Sequence, residues 1–142
     1  MTEAGTEPAP WQVLGRRTLY SSEWICLDQW TVRLPDGTLI PDHHVLHYPR
    51  AAVAVIPIGA DGRILMIDHY RFITGTRGWE VPSGQIDAGE SVEQGAAREL
   101  LEEAGYAAEE WQVLGKYHPS NGSSNQVFYV TVARGLMRLP VP

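Results

Sequence analysis

The sequence predicts an α+β fold, a strand-rich chain with one well-marked helix. Two observations carry this. Short alternating or continuous apolar runs recur along the chain, divided by Pro, Gly, Asn and Asp turn signals. Between them lies one segment, residues 92–104, with helical periodicity and a boundary signal at each end.

Residues 1–10 hold no apolar run and read as a disordered tail rather than a secretory leader. Residues 11–19, 24–34 and 38–48 read as strands. Pro35-Asp36-Gly37 joins the last two as a hairpin. Residues 51–58 are continuously apolar, the pattern of a buried strand. Asp61-Gly62 turns the chain into a further strand at 63–70. Residues 71–78 read as a polar loop, and 79–81 as an extended piece stopped by Pro82. Residues 109–118 and 126–133 read as strands around a Ser/Asn/Gly loop at 119–125. The pentapeptide WQVLG occurs at 11–15 and 111–115. With little similarity around it, the echo reads as two edge-like strands rather than an internal repeat.

Ser91 is a good N-cap and Gln94 completes a capping box. Gly105 suits the left-handed position just past a helix end. Val92, Ala96, Leu100 and Ala104 recur every four residues as an apolar stripe. Glu99, Glu102 and Glu103 stand at i, i+3 and i+4, so their side chains are neighbours. Like charges at that spacing repel, and they lie near the negative end of the helix dipole. A solvated acidic face is the ordinary reading of such a run. A hard cation with oxygen ligands would reverse both penalties, with Mg²⁺ the usual candidate.

The surrounding pattern favours the cation. Gly84, Glu90, Arg98, Glu99, Leu100, Glu102, Glu103 and Gly105 fit Gly-x5-Glu-x7-Arg-Glu-U-x-Glu-Glu-x-Gly-U, where U is bulky and aliphatic. This string resembles the box of the Nudix hydrolases. Tyr106 departs from the last U but is bulky and mostly apolar. The resemblance implies an α/β/α sandwich with a mixed sheet, the box forming a loop–helix–loop against it. It implies metal ligation by Glu99, Glu102, Glu103 and the carbonyl of Ser83, with Mg²⁺ as the ion and Mn²⁺ as an alternative. It also implies that Arg98 orients a glutamate, and that Gly84, Glu90 and Gly105 shape the motif.

Tyr70-Arg71, followed by Glu80-Val81-Pro82-Ser83-Gly84, resembles the corresponding run of ADP-ribose pyrophosphatases. Arg71 and Glu80 are therefore the substrate-binding candidates. The guanidinium fork of arginine suits a pyrophosphate, and Arg77 is a second such candidate. In that subfamily an N-terminal antiparallel sheet, here residues 11–48, serves dimerisation and precedes a core, here 49–142. Pro119 falls near, but not at, the place of a subfamily marker proline. The subfamily continues with a loop carrying a catalytic glutamate and a C-terminal helix, and neither is expected within 49–142.

The expected activity is metal-dependent hydrolysis of a nucleoside diphosphate linked to another moiety, foremost ADP-ribose or an ADP-sugar, giving AMP and a sugar phosphate. A noncatalytic ADP-ribose or nucleotide sensor and a nucleoside triphosphate pyrophosphatase stay open as alternatives.

Composition sets outer bounds. The 142 residues suffice for one core, and 44% apolar with 20% charged content is globular. A net charge of −6 disfavours nonspecific nucleic-acid binding. No run is long and apolar enough to span a membrane, so the cytoplasm is the expected compartment. Cys26 alone, in an alternating run, reads as a small core residue. His43 and His47 share a strand face but lie about 13 Å apart, too far for one zinc ion, and His44 points away. Trp24, Trp30, Trp79 and Tyr20 could stack on a base, but packing or an interface is the plainer role.

Overall fold

The computed structural model describes residues 10–140. The expected tail, apart from Pro10, lies outside them. The chain divides into two compact units, one of residues up to Pro49 with Ser120–Asn125, the other of Arg50–Pro119 with Gln126 onward.

The first unit is a three-stranded antiparallel sheet in the order β1-β2-β3: β1 (Gln12–Ser21), β2 (Cys26–Arg33) and β3 (Leu39–His47). Asp36 Oδ1 accepts the Thr38 N–H at 2.9 Å and Gly37 has φ 88°, which fixes the expected turn. One face carries Cys26, Asp28, Trp30 and Val32, with Val45 opposite Asp28. Asp28 is buried and satisfied locally. It accepts from Cys26 Sγ and Trp30 Nε1, and His47 Nε2 lies 3.3 Å away. A hydrogen bond from Thr18 does most to hold its pKa below the usual value. Cys26 is half-buried here, and burial pushes its thiol up. Residues 123–125 run beside the end of β3, where Leu46 donates to the Ser123 carbonyl at 2.8 Å.

The second unit holds a four-stranded mixed sheet in the order β7-β4-β10-β9. These are β4 (Ala52–Pro57), β7 (Ser83–Gln85), β9 (Glu110–Tyr117) and β10 (Phe128–Arg134). β4 and β10 are parallel and the outer pairings antiparallel. The continuous apolar run at 51–58 thus forms a central strand. Helix α1 (Val92–Ala104) packs on this sheet through its predicted stripe. Ala96 and Leu100 are fully buried with Val53, Val55 and Ala133, while Val92, Ala104 and Tyr106 flank them. Full burial of a side chain such as Leu100 stabilises by about 1.5–3 kcal/mol. The capping box is present, and Gly105 takes φ 72°, its N–H donating to the Leu101 carbonyl.

Two readings change. Of residues 63–70, only the last part is strand. β5 (Ile67–Arg71) forms a hairpin with β6 (Thr76–Glu80), and Ile64 makes only an isolated bridge to Ile58. The polar loop expected at 71–78 is therefore the tight end and second arm of that hairpin. Its Gly-containing, charged sequence hid a strand whose pairing is set across the hairpin. Two-residue strands β8 (Tyr106–Ala107) and β11 (Met137–Arg138), too short for any periodicity, pair with each other.

The WQVLG echo marks two edge strands, β1 and β9. In each, the register skips the leucine: Val13 and Gly15 face Val32 and Thr31, and Val113 and Gly115 face Thr131 and Val130. Leu14 and Leu114 are the extra residues of two equivalent irregularities that bend an edge.

Candidate active site

The box begins where β7 leaves the sheet edge. Gly84 pairs with Val53, and a Cβ at Gly84 would overlap the Glu99 carboxylate. Glycine is needed here for close approach, not for a special torsion. The turn after β7 is held by Glu90, whose Oε2 accepts the Asp87 N–H at 2.8 Å.

Arg98 gathers the motif. Its Nε donates to Glu90 Oε1 at 2.9 Å, and Nη2 to Glu90 Oε2 at 3.1 Å and the Gln85 carbonyl at 2.7 Å. Nη1 donates to Glu99 Oε1 at 2.7 Å and Glu102 Oε2 at 3.3 Å. One guanidinium so joins the loop after β7 to two of the three acidic side chains. Glu90 and Glu99 raise the Arg98 pKa, and Arg98 holds Glu90 below the usual carboxylate range. Glu99 is only 8% exposed. Burial pushes its pKa up, Arg98 opposes this, and Glu103 and Glu102 add to the rise. Glu103 turns to β7, where its Oε2 accepts the Ser83 N–H at 2.8 Å.

Among the described residues no three His, Cys, Asp or Glu side chains converge as a ready metal cage. The Arg98 Nη1 occupies the space between Glu99 and Glu102, while Glu103 bonds to the Ser83 backbone. The donor set itself suits a hard divalent ion. It is all oxygen, it is negatively charged, and it includes one buried carboxylate, Glu99.

The substrate-binding candidates lie on the β5–β6 hairpin. Arg71 and Glu80 point to one face and pair, with Nε donating to Oε1 at 3.1 Å and Oε2 at 3.0 Å, and Nη2 to Oε2 at 2.5 Å. Glu80 chiefly raises the Arg71 pKa, and Glu103 adds a smaller effect across the site. Arg77 is not part of this group. It pairs with Asp68, its Nε donating to Oδ1 at 2.8 Å, from positions opposite Tyr70 and Trp79. His118 Nδ1 lies 3.0 Å from the Gln126 carbonyl oxygen, a structural contact. Trp79, Trp24 and Tyr20 are exposed, while Trp30 lies under the Arg16 guanidinium, 4.3 Å from its ring centre. The sequence reading missed His69, whose Nδ1 lies 3.8 Å from Glu80 Oε2. Its period-two spacing from Arg71 was the available signal.

A model of the NUDIX domain matches residues 48–138. The chain belongs to the Nudix family. A nucleoside diphosphate sugar hydrolase N-terminal domain model matches residues 11–46. An ADP-ribose pyrophosphatase of Mycobacterium tuberculosis is 36% identical over 132 residues, which are 92% of this chain and 63% of that protein. An ADP-ribose pyrophosphatase of Bacillus subtilis is 30% identical, over 88% of this chain and 66% of that protein. A CMP-5'-(N-acetyl-N-hydroxy-3-aminopropyl)phosphonate hydrolase of Streptomyces rubellomurinus is 33% identical, over 88% and 60%. The chain thus spans 60–66% of the length of these Nudix relatives. A solved ADP compounds hydrolase superposes with a TM-score of 0.85 at 24% identity, covering 96% of this chain and 73% of that one. That likeness establishes the shared Nudix fold.

Proposed function

We propose that this Nudix protein hydrolyses the diphosphate of a nucleoside diphosphate joined to a second moiety, with ADP-ribose or an ADP-sugar as substrate. The products are AMP and a sugar phosphate. One observation carries the reading: the Arg98 guanidinium joins Glu90, Glu99 and Glu102, and the Ser83 N–H holds Glu103, so the box carboxylates are gathered at the end of β7. The ADP-ribose pyrophosphatase relatives support the substrate class.

Glu99, Glu102, Glu103 and the Ser83 carbonyl would hold Mg²⁺, with Mn²⁺ as a second choice. A bound divalent ion supplies polarisation of the diphosphate and a more acidic water. Arg71 binds the diphosphate through its planar donor fork. Arg98 orients Glu99. Water adds across the anhydride, one phosphorus gains the hydroxyl oxygen, the other keeps the bridging oxygen, and a proton leaves to the carboxylate set.

We also propose a homodimer built through the first unit. Its two edge strands and the exposed Trp11, Leu14, Leu19 and Tyr20 support that reading. A monomer mass in solution scattering overturns it. The cytoplasm is kept as the compartment, in line with a single unpaired cysteine.

AMP release from ADP-ribose, with and without Mg²⁺, tests the activity by chromatography beside ADP-sugars and nucleoside triphosphates. Mg²⁺-dependent AMP supports the proposal. Turnover of triphosphates alone moves it to a triphosphate pyrophosphatase. Binding of ADP-ribose without turnover of any compound makes it a sensor.

A further inference from the structure

We propose that His69 is a positioning residue that takes over the Glu80 carboxylate when Arg71 turns to the substrate diphosphate. The inference rests on the diphosphate-binding reading of Arg71 above.

Arg71 is engaged in the structure. Its Nε and Nη2 are both directed at Glu80. A guanidinium so engaged must give up part of that pairing to present the same fork to a phosphate. Glu80 would then be left half-buried without its main partner. An uncompensated carboxylate there opposes substrate binding.

His69 answers that problem. It stands two residues before Arg71 on β5, so both side chains leave the same face of the hairpin. Glu80 lies on the facing strand opposite Ile67, diagonal to His69. Glu80 Oε2 is 3.8 Å from His69 Nδ1, beyond hydrogen-bond distance. Nδ1 is buried and finds no hydrogen-bond partner among the described residues. A buried nitrogen without a partner is uncommon and asks for a reason. A shift of about 1 Å in the Glu80 side chain would bring the pair to bonding distance. Gly78 faces His69 across the hairpin, and a Cβ there would meet nothing within 4 Å, so no facing side chain obstructs the movement. The neutral imidazole with its proton on Nδ1 is sufficient as donor.

Two variants separate this from plain packing. His69→Asn keeps an N–H donor near the Nδ1 position, and His69→Leu keeps bulk without a donor. With the whole chain and ADP-ribose, the leucine variant should raise KM about ten-fold with kcat little changed, as expected for loss of one charge-assisted bond in binding. The asparagine variant should restore KM. Separately, ¹⁵N-histidine spectra of the wild-type protein should show the His69 Nδ1 proton becoming hydrogen-bonded as inorganic pyrophosphate saturates the site. Equal KM in both variants, or an unchanged His69 signal at saturating pyrophosphate, overturns the exchange. A wild-type protein that does not turn over ADP-ribose, yet shows the pyrophosphate-dependent His69 signal, overturns the substrate reading and supports the exchange.

Discussion

The backbone N–H of Ser83 donates to Glu103 Oε2 at 2.8 Å, joining the sheet edge at β7 to the last turn of α1. Twenty positions separate the two residues, and the bond fixes one carboxylate oxygen of Glu103. Glu103→Gln keeps an oxygen that can accept from Ser83 but removes the charge. Turnover of ADP-ribose should fall by more than about 100-fold, beyond the usual loss for a group that only supports a ligand. The metal-free melting temperature should change little, because like-charge repulsion within the helix is relieved at the same time. A large drop in that melting temperature would show that Glu103 serves the fold instead.

Arg98 is predicted to matter for folding as well as for activity. Truncation to Ala would strand Glu99, 8% exposed, without its cation, and would remove the donors to Glu90 and the Gln85 carbonyl. Removing one partner of a buried pair costs about 3–5 kcal/mol, and this partly exposed arginine sets the cost below that, at up to about 3 kcal/mol. Arg98→Lys should recover only part of this, since a single ammonium cannot span Glu90, Glu99 and Gln85 together. Urea unfolding of the two variants checks the order, and an Arg98→Lys chain as stable as wild type contradicts it.

Gly84→Ala tests the close approach of the β7 backbone to Glu99. The added methyl falls on the carboxylate, so strand and helix must separate or Glu99 must leave its place. Overpacking of this kind costs about 1–3 kcal/mol. Activity should drop together with stability. By contrast Gly78→Ala, where the methyl meets open space, should leave the melting temperature close to wild type. Thermal denaturation of both variants in parallel decides whether the contact is as tight as described.

The pH response has opposite signs at two carboxylates. Glu90 is held below its ordinary 4.5, chiefly by Arg98, so its contribution to stability is present above 4.5 and is lost as pH falls through its folded value. Glu99 is pushed above 4.5, chiefly by burial, so its contribution is present below 4.5 and is lost as pH rises through its folded value. In the proposed metal site, binding needs Glu99 ionised. Mg²⁺ affinity should therefore weaken as pH falls through a value above 4.5, and Glu99→Gln should abolish that dependence. Calorimetric titration at several pH values measures both, and a flat affinity in the wild-type chain refutes the role of Glu99.

Much is legible from local pattern. The helix bounds, Ser91 and Gln94 as a capping box, Gly105 as the left-handed stop and the buried stripe through Ala96 and Leu100 all follow from interactions within a few residues of each other. Chemistry that acts over three or four positions leaves a mark in spacing, which is why the acidic group at 99, 102 and 103 stands out. The three N-terminal strands are also readable, from alternation and the Asp36-Gly37 turn.

What stays hidden depends on partners farther along the chain. Residues 71–78 carry no strand period because their pairing comes from 67–71 and the face they present is polar. Arg71 and Arg77 look alike as phosphate ligands until the hairpin sends them to opposite faces, one to Glu80 and the other to Asp68. His69 has no motif at all. The sequence determined the helix, its caps and the identity of the acidic set, because covalent spacing governs local geometry. Only the tertiary structure decided that Arg98 clasps Glu90, Glu99 and Gln85, and that Ser83 meets Glu103. Those contacts require the chain to return on itself, and side-chain packing rather than spacing chooses which groups then meet.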